Sequence, residues 1–354
     1  MGMSRARDLD RFYEVLARLQ SKLGGCRCLG ACGGGGSDGW RWPLQGVYFF
    51  FEPGEMREDG RTPRVVRVGT HAVSEGSKTT LWQRLSRHKG HERGKYAGGG
   101  NHRGSVFRLH VGAALLAASG RAADDAWDRA RATGYAAEDD AEGCASGRRS
   151  GVRAADYAKG CAGGRSGGRA GAGGRAEDCA EDCARDGAGD HACSRALHRA
   201  GDWVGDDHSC DCAGTRVRGF VGDRAWECAR DYLREVRATW GKGSSADQRT
   251  RDLEHPLECQ VSAYIRRMPF LWVAVPGPAG RSSPRSIIES NAVALLSNRH
   301  KPPIDPPSPN WLGLYAQRAE IRESGLWNVN YVDEPYDPAF MDLLDQFVAA
   351  MDRA

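Results

Sequence analysis

The chain has 354 residues, of which 40% are hydrophobic, and its formal net charge is +4. No uncharged apolar run approaches the ~18 residues of a membrane span, and the charged first ten residues lack the apolar stretch of a signal peptide. These features exclude a transmembrane protein and a secreted protein with a standard leader, and they predict a soluble, cytoplasmic protein with its own core.

The first part of the chain predicts two strands and their flanking helices. Hydrophobic residues at three- and four-residue steps predict an amphipathic helix over residues 8–23. Two β-rich runs, 46–51 and 64–69, are separated by a polar loop and predict a hairpin. A helix is predicted over 79–89, and the apolar run 106–116 fits a helix or a strand.

The middle of the chain has an unusual composition. From 118 to 219 there is no Ile, Phe, Met, Pro, Asn or Gln and a single Leu. Such a segment cannot bury enough apolar surface to offset the entropy lost on ordering. We interpret residues 118–237 as a low-complexity, disordered insertion; the alternatives are a frameshift or GC-driven expansion and an unusual folded module.

The last part of the chain predicts further core elements. Residues 258–267 fit a helix or a strand, 270–275 a strand, 286–297 a helix and 341–351 a C-terminal helix, with a proline-rich loop at 302–309. The fold class predicted from all these elements is α+β, with a small mixed β-sheet flanked by helices and interrupted by the long insertion. The predicted segments are an N-terminal helix and Gly-rich loop (1–40), the first part of the core (41–117), the insertion (118–237) and the second part of the core (238–354).

A basic stretch suggests phosphate chemistry. Between 84 and 108 there are seven Lys or Arg against one acid, with three His interleaved. Such a stretch suits a nucleic-acid backbone, although a solvated surface loop explains it equally well. Arg84 and His88 share one helix face and combine a bidentate phosphate donor with a proton carrier. The residues predicted to contact nucleic acid are Arg87, Lys89, His102 and Arg103.

Glu289 is the acidic residue of an otherwise apolar helix. An exposed surface position is the commonest role of such a carboxylate. The alternative is a metal ligand in a hydrolase.

The order of these motifs resembles the GIY-YIG nuclease superfamily. The resemblance rests on Gly-Val-Tyr at 46–48, Arg-Val-Gly at 67–69, Arg84 on the next helix and a later helical Glu289. The Arg84-x3-His88 pair resembles the GIY-YIG restriction endonucleases. Asn-His-Arg-Gly-Ser at 101–105 and Ser-Gly-Leu-Trp-Asn at 324–328 resemble a family of bacterial GIY-YIG proteins.

This resemblance implies a metal-dependent endonuclease that hydrolyses DNA phosphodiester bonds with Mg²⁺ (or Mn²⁺). Tyr48 matches the tyrosine that orients or deprotonates the attacking water, and Arg84 matches the arginine that steadies the phosphate charge. Glu289 matches the metal ligand, and His88 a proton relay or phosphate contact.

The sequence departs from the family pattern at the second motif. Arg67 stands where the family has a tyrosine, and a guanidinium cannot easily do the same proton chemistry. His71 is the candidate to take over the base role. For the family's late asparagine we prefer Asn298 to Asn310, because Asn298 closes the helix that carries Glu289. The alternatives are an inactive nucleic-acid-binding protein with a degenerate nuclease core and a frameshift-damaged gene product.

Overall fold

The structure, a computed structural model, describes residues 2–33, 42–72, 76–132 and 222–352. The centre of the predicted insertion, residues 133–221, lies outside them. The strands are β1 (Arg27–Cys28), β2 (Gly46–Met56), β3 (Pro63–Gly69) and β4 (Pro269–Ala274). The helices are α1 (Gly2–Lys22), α2 (Leu81–Lys89), α3 (Val106–Ala132), α4 (Gly222–Thr239), α5 (Gln248–Arg267), α6 (Pro284–Leu296), α7 (Ala319–Ser324) and α8 (Phe340–Ala350).

The strands form one sheet in the order β1-β4-β2-β3. β2 and β3 form the predicted hairpin, with Tyr48 opposite Gly69 and Phe50 opposite Arg67. β4 pairs with the other side of β2 and places Trp272 opposite Tyr48. The α+β class is confirmed, although every pairing in the described ranges is antiparallel, where the prediction had a mixed sheet. Because β2 precedes the insertion and β4 follows it, the centre of the sheet joins both parts of the chain.

Side chains alternate along β2 and face two helical layers. Phe49 meets Phe12 of α1 edge-on, with 5.8 Å between ring centroids, and α1 packs against α6 and α8. On the opposite face, Phe50 lies 5.7 Å from Phe107 of α3, and α5 packs against α2 and α3. The apolar face predicted for α1 is confirmed as buried, and burial of each such side chain contributes about 1.5–3 kcal/mol. Its members are Leu9, Phe12, Val15, Leu16, Leu19 and Leu23.

Two segments that the sequence left open are helical. Residues 106–116 lie in α3 and residues 258–267 in α5. α3 continues to Ala132 and α4 begins at Gly222, so both helices extend into the segment assigned to the insertion. Within the described ranges, no helix combines the length and the apolar character that crossing a membrane requires.

Candidate active site

Two glycines allow close packing around Tyr48, which is fully buried on β2. The tyrosine ring lies across Gly69 of β3, where an added Cβ would be 2.3 Å from the Tyr48 hydroxyl oxygen. At Gly46, an added Cβ would be 2.4 Å from the carbonyl oxygen of Val273. A side chain at either position would therefore overlap its neighbours, which explains why both motif positions are glycine.

Helix α2 carries His88 to Tyr48. The helix starts with a capping box, in which the backbone N–H of Gln83 donates to the Thr80 hydroxyl and the backbone N–H of Thr80 donates to the Gln83 side chain. Near its end, Nε2 of His88 lies 2.9 Å from the Tyr48 hydroxyl oxygen. Arg84, one turn earlier, lies within electrostatic reach of His88. Arg84 and His88 thus lie near each other on one helix, and His88 contacts the motif tyrosine.

The second ring nitrogen of His88 contacts Ser105. Nδ1 lies 2.8 Å from the Ser105 hydroxyl oxygen, which also accepts the backbone N–H of Arg108 at 3.3 Å. The Arg108 guanidinium donates to the carbonyl oxygen of His88 at 2.8 Å. Both the ring and the backbone of His88 are thus fixed from the start of α3.

The surroundings of His88 favour its neutral form. Burial, followed by the nearby cations Arg84 and Arg67, lowers the pKa of His88 well below 6.5. Among the described residues, Nε2 of His88 is the acceptor within hydrogen-bond distance of the Tyr48 hydroxyl. We therefore assign the imidazole proton to Nδ1, where Ser105 accepts it.

Arg67 is a buried cation on the same face of the sheet as Tyr48. Its guanidinium donates to the carbonyl oxygen of Trp327 at 2.5 Å and lies 4.5 Å above the centroid of the Phe107 ring. It also hydrogen-bonds the Tyr48 hydroxyl. An arginine remains charged even when burial lowers its pKa, so Arg67 places a fixed positive charge beside the tyrosine.

Glu289 reaches the same cluster from α6, whose N-terminus is capped by the Ser283 hydroxyl. Its carboxylate accepts the backbone N–H of Thr70 and lies within electrostatic reach of Arg67 and Arg84. Burial raises the pKa of Glu289 to about 6, against the opposing effect of the two cations. The side chain is only partly buried, so the carboxylate remains accessible to a ligand.

The structure places His71 at the margin of this cluster. Nε2 of His71 lies 3.1 Å from the carbonyl oxygen of Leu44. Burial, with the cations Arg285 and Arg84, lowers the pKa of His71 to about 4. Its ring is therefore neutral at pH 7 and faces backbone, a geometry that favours Tyr48 and His88 over His71 for proton transfer.

Asn298 does not join the cluster. Its side-chain oxygen accepts from Arg5 at 3.1 Å and from the backbone of Ile304 at 2.9 Å. It lies two residues beyond the last residue of α6, Leu296. These contacts give Asn298 a structural role at the end of α6, and Asn310 is exposed.

The structure changes the prediction for the nucleic-acid contacts on α2. Arg87 is exposed, as a phosphate contact requires. Lys89 is 4% exposed, pairs with Glu92 at 2.5 Å and donates to the carbonyl oxygen of Cys32. Its charge is therefore engaged within the protein.

His102 and Arg103 are also engaged internally. Nδ1 of His102 lies 3.0 Å from Glu258, and its ring stacks on Trp240 at 3.8 Å. Arg103 makes a bidentate pair with Glu254 at 2.6 and 2.9 Å. The premise of an exposed basic stretch thus fails at these positions, because α5 supplies carboxylates from the far side of the insertion.

Sequence reasoning missed two positioning elements, although the resemblance singled out both segments. One is Ser105, the last residue of the 101–105 motif. The other is the 324–328 motif, which covers the free edge of β3. There the backbone N–H of Trp327 donates to Val66 at 2.7 Å, and the Asn328 amide bonds both backbone groups of Val68, at 3.1 and 2.9 Å.

In the part of the chain that the structure describes, the candidate site offers a divalent ion one carboxylate, that of Glu289. Among the described residues, no group of three or more His, Cys, Asp or Glu side chains is arranged to hold a metal ion. Mg²⁺ is nevertheless often held by one or two carboxylates, several waters and substrate phosphate oxygens. The accessible carboxylate of Glu289, close to Arg84, fits that donor set.

The comparison with protein families agrees with this geometry. A sequence model of the GIY-YIG domain matches residues 3–148 and 207–354, and the chain therefore belongs to the GIY-YIG family. Membership suggests a nuclease. No match to a curated protein or to a solved structure was found.

Proposed function

We propose that the protein is a metal-dependent endonuclease that hydrolyses DNA phosphodiester bonds. The observation that carries the proposal is the 2.9 Å contact between Tyr48 and His88, with Arg84 and Glu289 beside it. These residues combine a proton path, a phosphate donor and a carboxylate. They come from both sides of the insertion and meet at the sheet.

The proton path runs from water to Tyr48 and on to His88. The Tyr48 hydroxyl is buried in the free protein; in the substrate complex it gives its proton to Nε2 of His88 and takes one from the attacking water that the substrate brings to it. In the free protein, burial and then the surrounding cations disfavour a protonated His88. A DNA phosphate beside Arg84 offsets part of that positive charge and raises the proton affinity of His88. The base therefore becomes effective when substrate is bound.

The phosphate is held by arginine. The Nε atom of Arg84 is buried and makes no hydrogen bond to the described part of the chain, so the donor capacity of this guanidinium is not used up within the protein. Arg67 adds a second positive charge that is already fixed in place. Preorganised cations of this kind stabilise the charge that develops on the phosphate in the transition state.

Glu289 is the residue that would hold the divalent ion. When bound, Mg²⁺ or Mn²⁺ supplies Lewis-acid stabilisation of the phosphate oxygens. Glu289 must be ionised to act as a ligand, and its raised pKa means that a proton competes for the carboxylate near pH 6.

A second candidate function is DNA binding without cleavage. Arg67 favours it, because a guanidinium replaces the second motif tyrosine and remains protonated. The third interpretation, a damaged gene product, predicts neither binding nor cleavage.

The test is cleavage of supercoiled plasmid by the full-length protein with Mg²⁺, with and without EDTA. Glu289→Gln is compared with Glu14→Gln, which changes an exposed glutamate on α1. We expect cleavage by the wild type and by Glu14→Gln, and a loss of at least about 100-fold with Glu289→Gln or EDTA. Cleavage that survives Glu289→Gln would refute the site assignment, and DNA binding without cleavage by the wild type would support the second candidate.

A further inference from the structure

A pocket of about 260 Å³ lies beyond the end of α2, between the 90–100 loop and α5. Its shape is set by backbone hydrogen bonds, since His91 donates to Gly99 at 2.7 Å and Gly98 donates to His91 at 2.9 Å. The pocket is thus formed before any ligand arrives. Its lining includes His91, Arg93, Lys95, Tyr96, Arg251 and His255.

The two carboxylates that line the pocket are already neutralised from inside the protein. Glu254 pairs with Arg103 at 2.6 Å. Glu258 accepts from the Arg108 guanidinium at 3.0 Å. Neither carboxylate is free to neutralise a cation at the mouth of the pocket.

The lining carboxylates therefore do not neutralise the cations at the mouth of the pocket. Lys95 pairs with Asp252 at 3.1 Å. Arg93 and Arg251 are exposed and, within the described ranges, form no ion pair with a carboxylate. The Arg251 guanidinium lies 5.5 Å from the centroid of the Tyr96 ring, which restrains it. Two available guanidinium groups at one preformed pocket suit a phosphate, which arginine binds in bidentate fashion.

The pocket and the candidate active site are neighbours. The Arg108 guanidinium donates to the carbonyl oxygen of His88 at 2.8 Å and to Glu258 at 3.0 Å, so one side chain spans the interval. Arg84 lies on α2, and His91, which lines the pocket, follows the last residue of that helix by two positions.

We propose that this pocket binds a backbone phosphate of the DNA substrate, away from the bond that is cleaved. The inference rests on the proposed function. It concerns the nucleic-acid contacts near the end of α2, for which the sequence had predicted the internal residues Lys89, His102 and Arg103. It assigns the exposed Arg93 and Arg251 instead. A contact of this kind strengthens binding without reading base sequence.

The experiment measures the affinity of the full-length protein for a fluorescent duplex oligonucleotide over a range of salt concentrations, without divalent ions. The test variant is Arg93→Gln/Arg251→Gln. The matched control is Arg249→Gln, which removes an exposed arginine of the same helix, α5, outside the pocket lining. We expect the double variant to lose about tenfold in affinity and its slope of log affinity against log salt to fall by about 0.9, the value for one phosphate contact. Arg249→Gln should match the wild type.

The outcomes separate the pocket from the nuclease. If the double variant and Arg249→Gln show the same slope, the pocket proposal is overturned, whether or not plasmid is cleaved. If the slope falls only in the double variant but the wild type does not cleave plasmid, the pocket stands and the nuclease proposal fails. A wild type that does not bind the duplex overturns the pocket proposal, and plasmid cleavage with Mg²⁺ then decides the nuclease proposal separately.

Discussion

Replacing Glu289 by Gln should stabilise the fold at neutral pH while removing the proposed metal ligand. Burial raises the pKa of Glu289 to about 6, from 4.5 for an unperturbed glutamate. As the pH rises between these values, the unfolded state loses this proton before the folded state does, so ionisation favours unfolding. The two values differ by about 1.5, and at about 1.4 kcal/mol per unit the wild type loses about 2 kcal/mol of unfolding free energy. A glutamine avoids this loss, and its side-chain oxygen still accepts the N–H of Thr70.

The assay is urea denaturation at pH 4 and pH 8, with Glu14→Gln as the control for a helical glutamate. Glu289→Gln should match the wild type within about 0.5 kcal/mol at pH 4 and exceed its unfolding free energy by about 2 kcal/mol at pH 8. Other groups that titrate in this range, such as His71, are common to both proteins. Equal stability at pH 8, or a difference that does not change with pH, would refute the reasoning.

Three further predictions concern the cluster. Ser105→Ala should lower kcat about 10- to 100-fold with little change in KM, because His88 loses the acceptor that fixes its tautomer, and ¹⁵N NMR of the imidazole should show loss of the Nδ1–H form. Gly69→Ala should reduce the free energy of unfolding in urea by about 1–3 kcal/mol, because the new Cβ would lie 2.3 Å from the Tyr48 hydroxyl oxygen. The single-turnover cleavage rate should fall below about pH 6, with a slope of one proton, as Glu289 is protonated.

Each of these predictions has its own check. Ser86→Ala is the control: the Ser86 hydroxyl on α2 bonds to Trp82 and not to His88, so kcat and the tautomer should be unchanged. Ser105→Thr, which keeps a hydroxyl, should also retain both. A tautomer unaffected by Ser105→Ala would contradict the positioning role. For Gly69→Ala the contradicting result is unchanged stability, and for the pH profile it is a constant rate from pH 5 to 8.

Local patterns were enough to predict the elements that build the site. The alternation and β-rich composition of β2 and β3 predicted the hairpin that places Gly69 opposite Tyr48. Helical spacing predicted that Arg84 and His88 share a face; His88 contacts the tyrosine, and Arg84 lies within electrostatic reach of His88. In each case the partners lie close in sequence, where periodicity carries information about geometry.

Contacts between residues far apart in the chain could not be predicted from the sequence. The sequence predicted exposed cations at Lys89, His102 and Arg103. It did so because the acids that pair with two of them, Glu254 and Glu258, lie about 150 residues further along the chain. No local pattern shows which carboxylate meets which cation across an insertion. The contact of Ser105 with His88 was missed for the same reason, since it depends on how α3 packs beside α2.

The most direct test of the central claim is the single-turnover cleavage rate of Tyr48→Phe at saturating protein, with DNA affinity measured in parallel. This change keeps the ring that packs on Gly69 and removes only the hydroxyl that contacts His88. If Tyr48 passes a proton from water to His88, the rate should fall at least about 100-fold while DNA affinity stays within about twofold. A Tyr48→Phe protein that cleaves DNA at the wild-type rate would contradict the account.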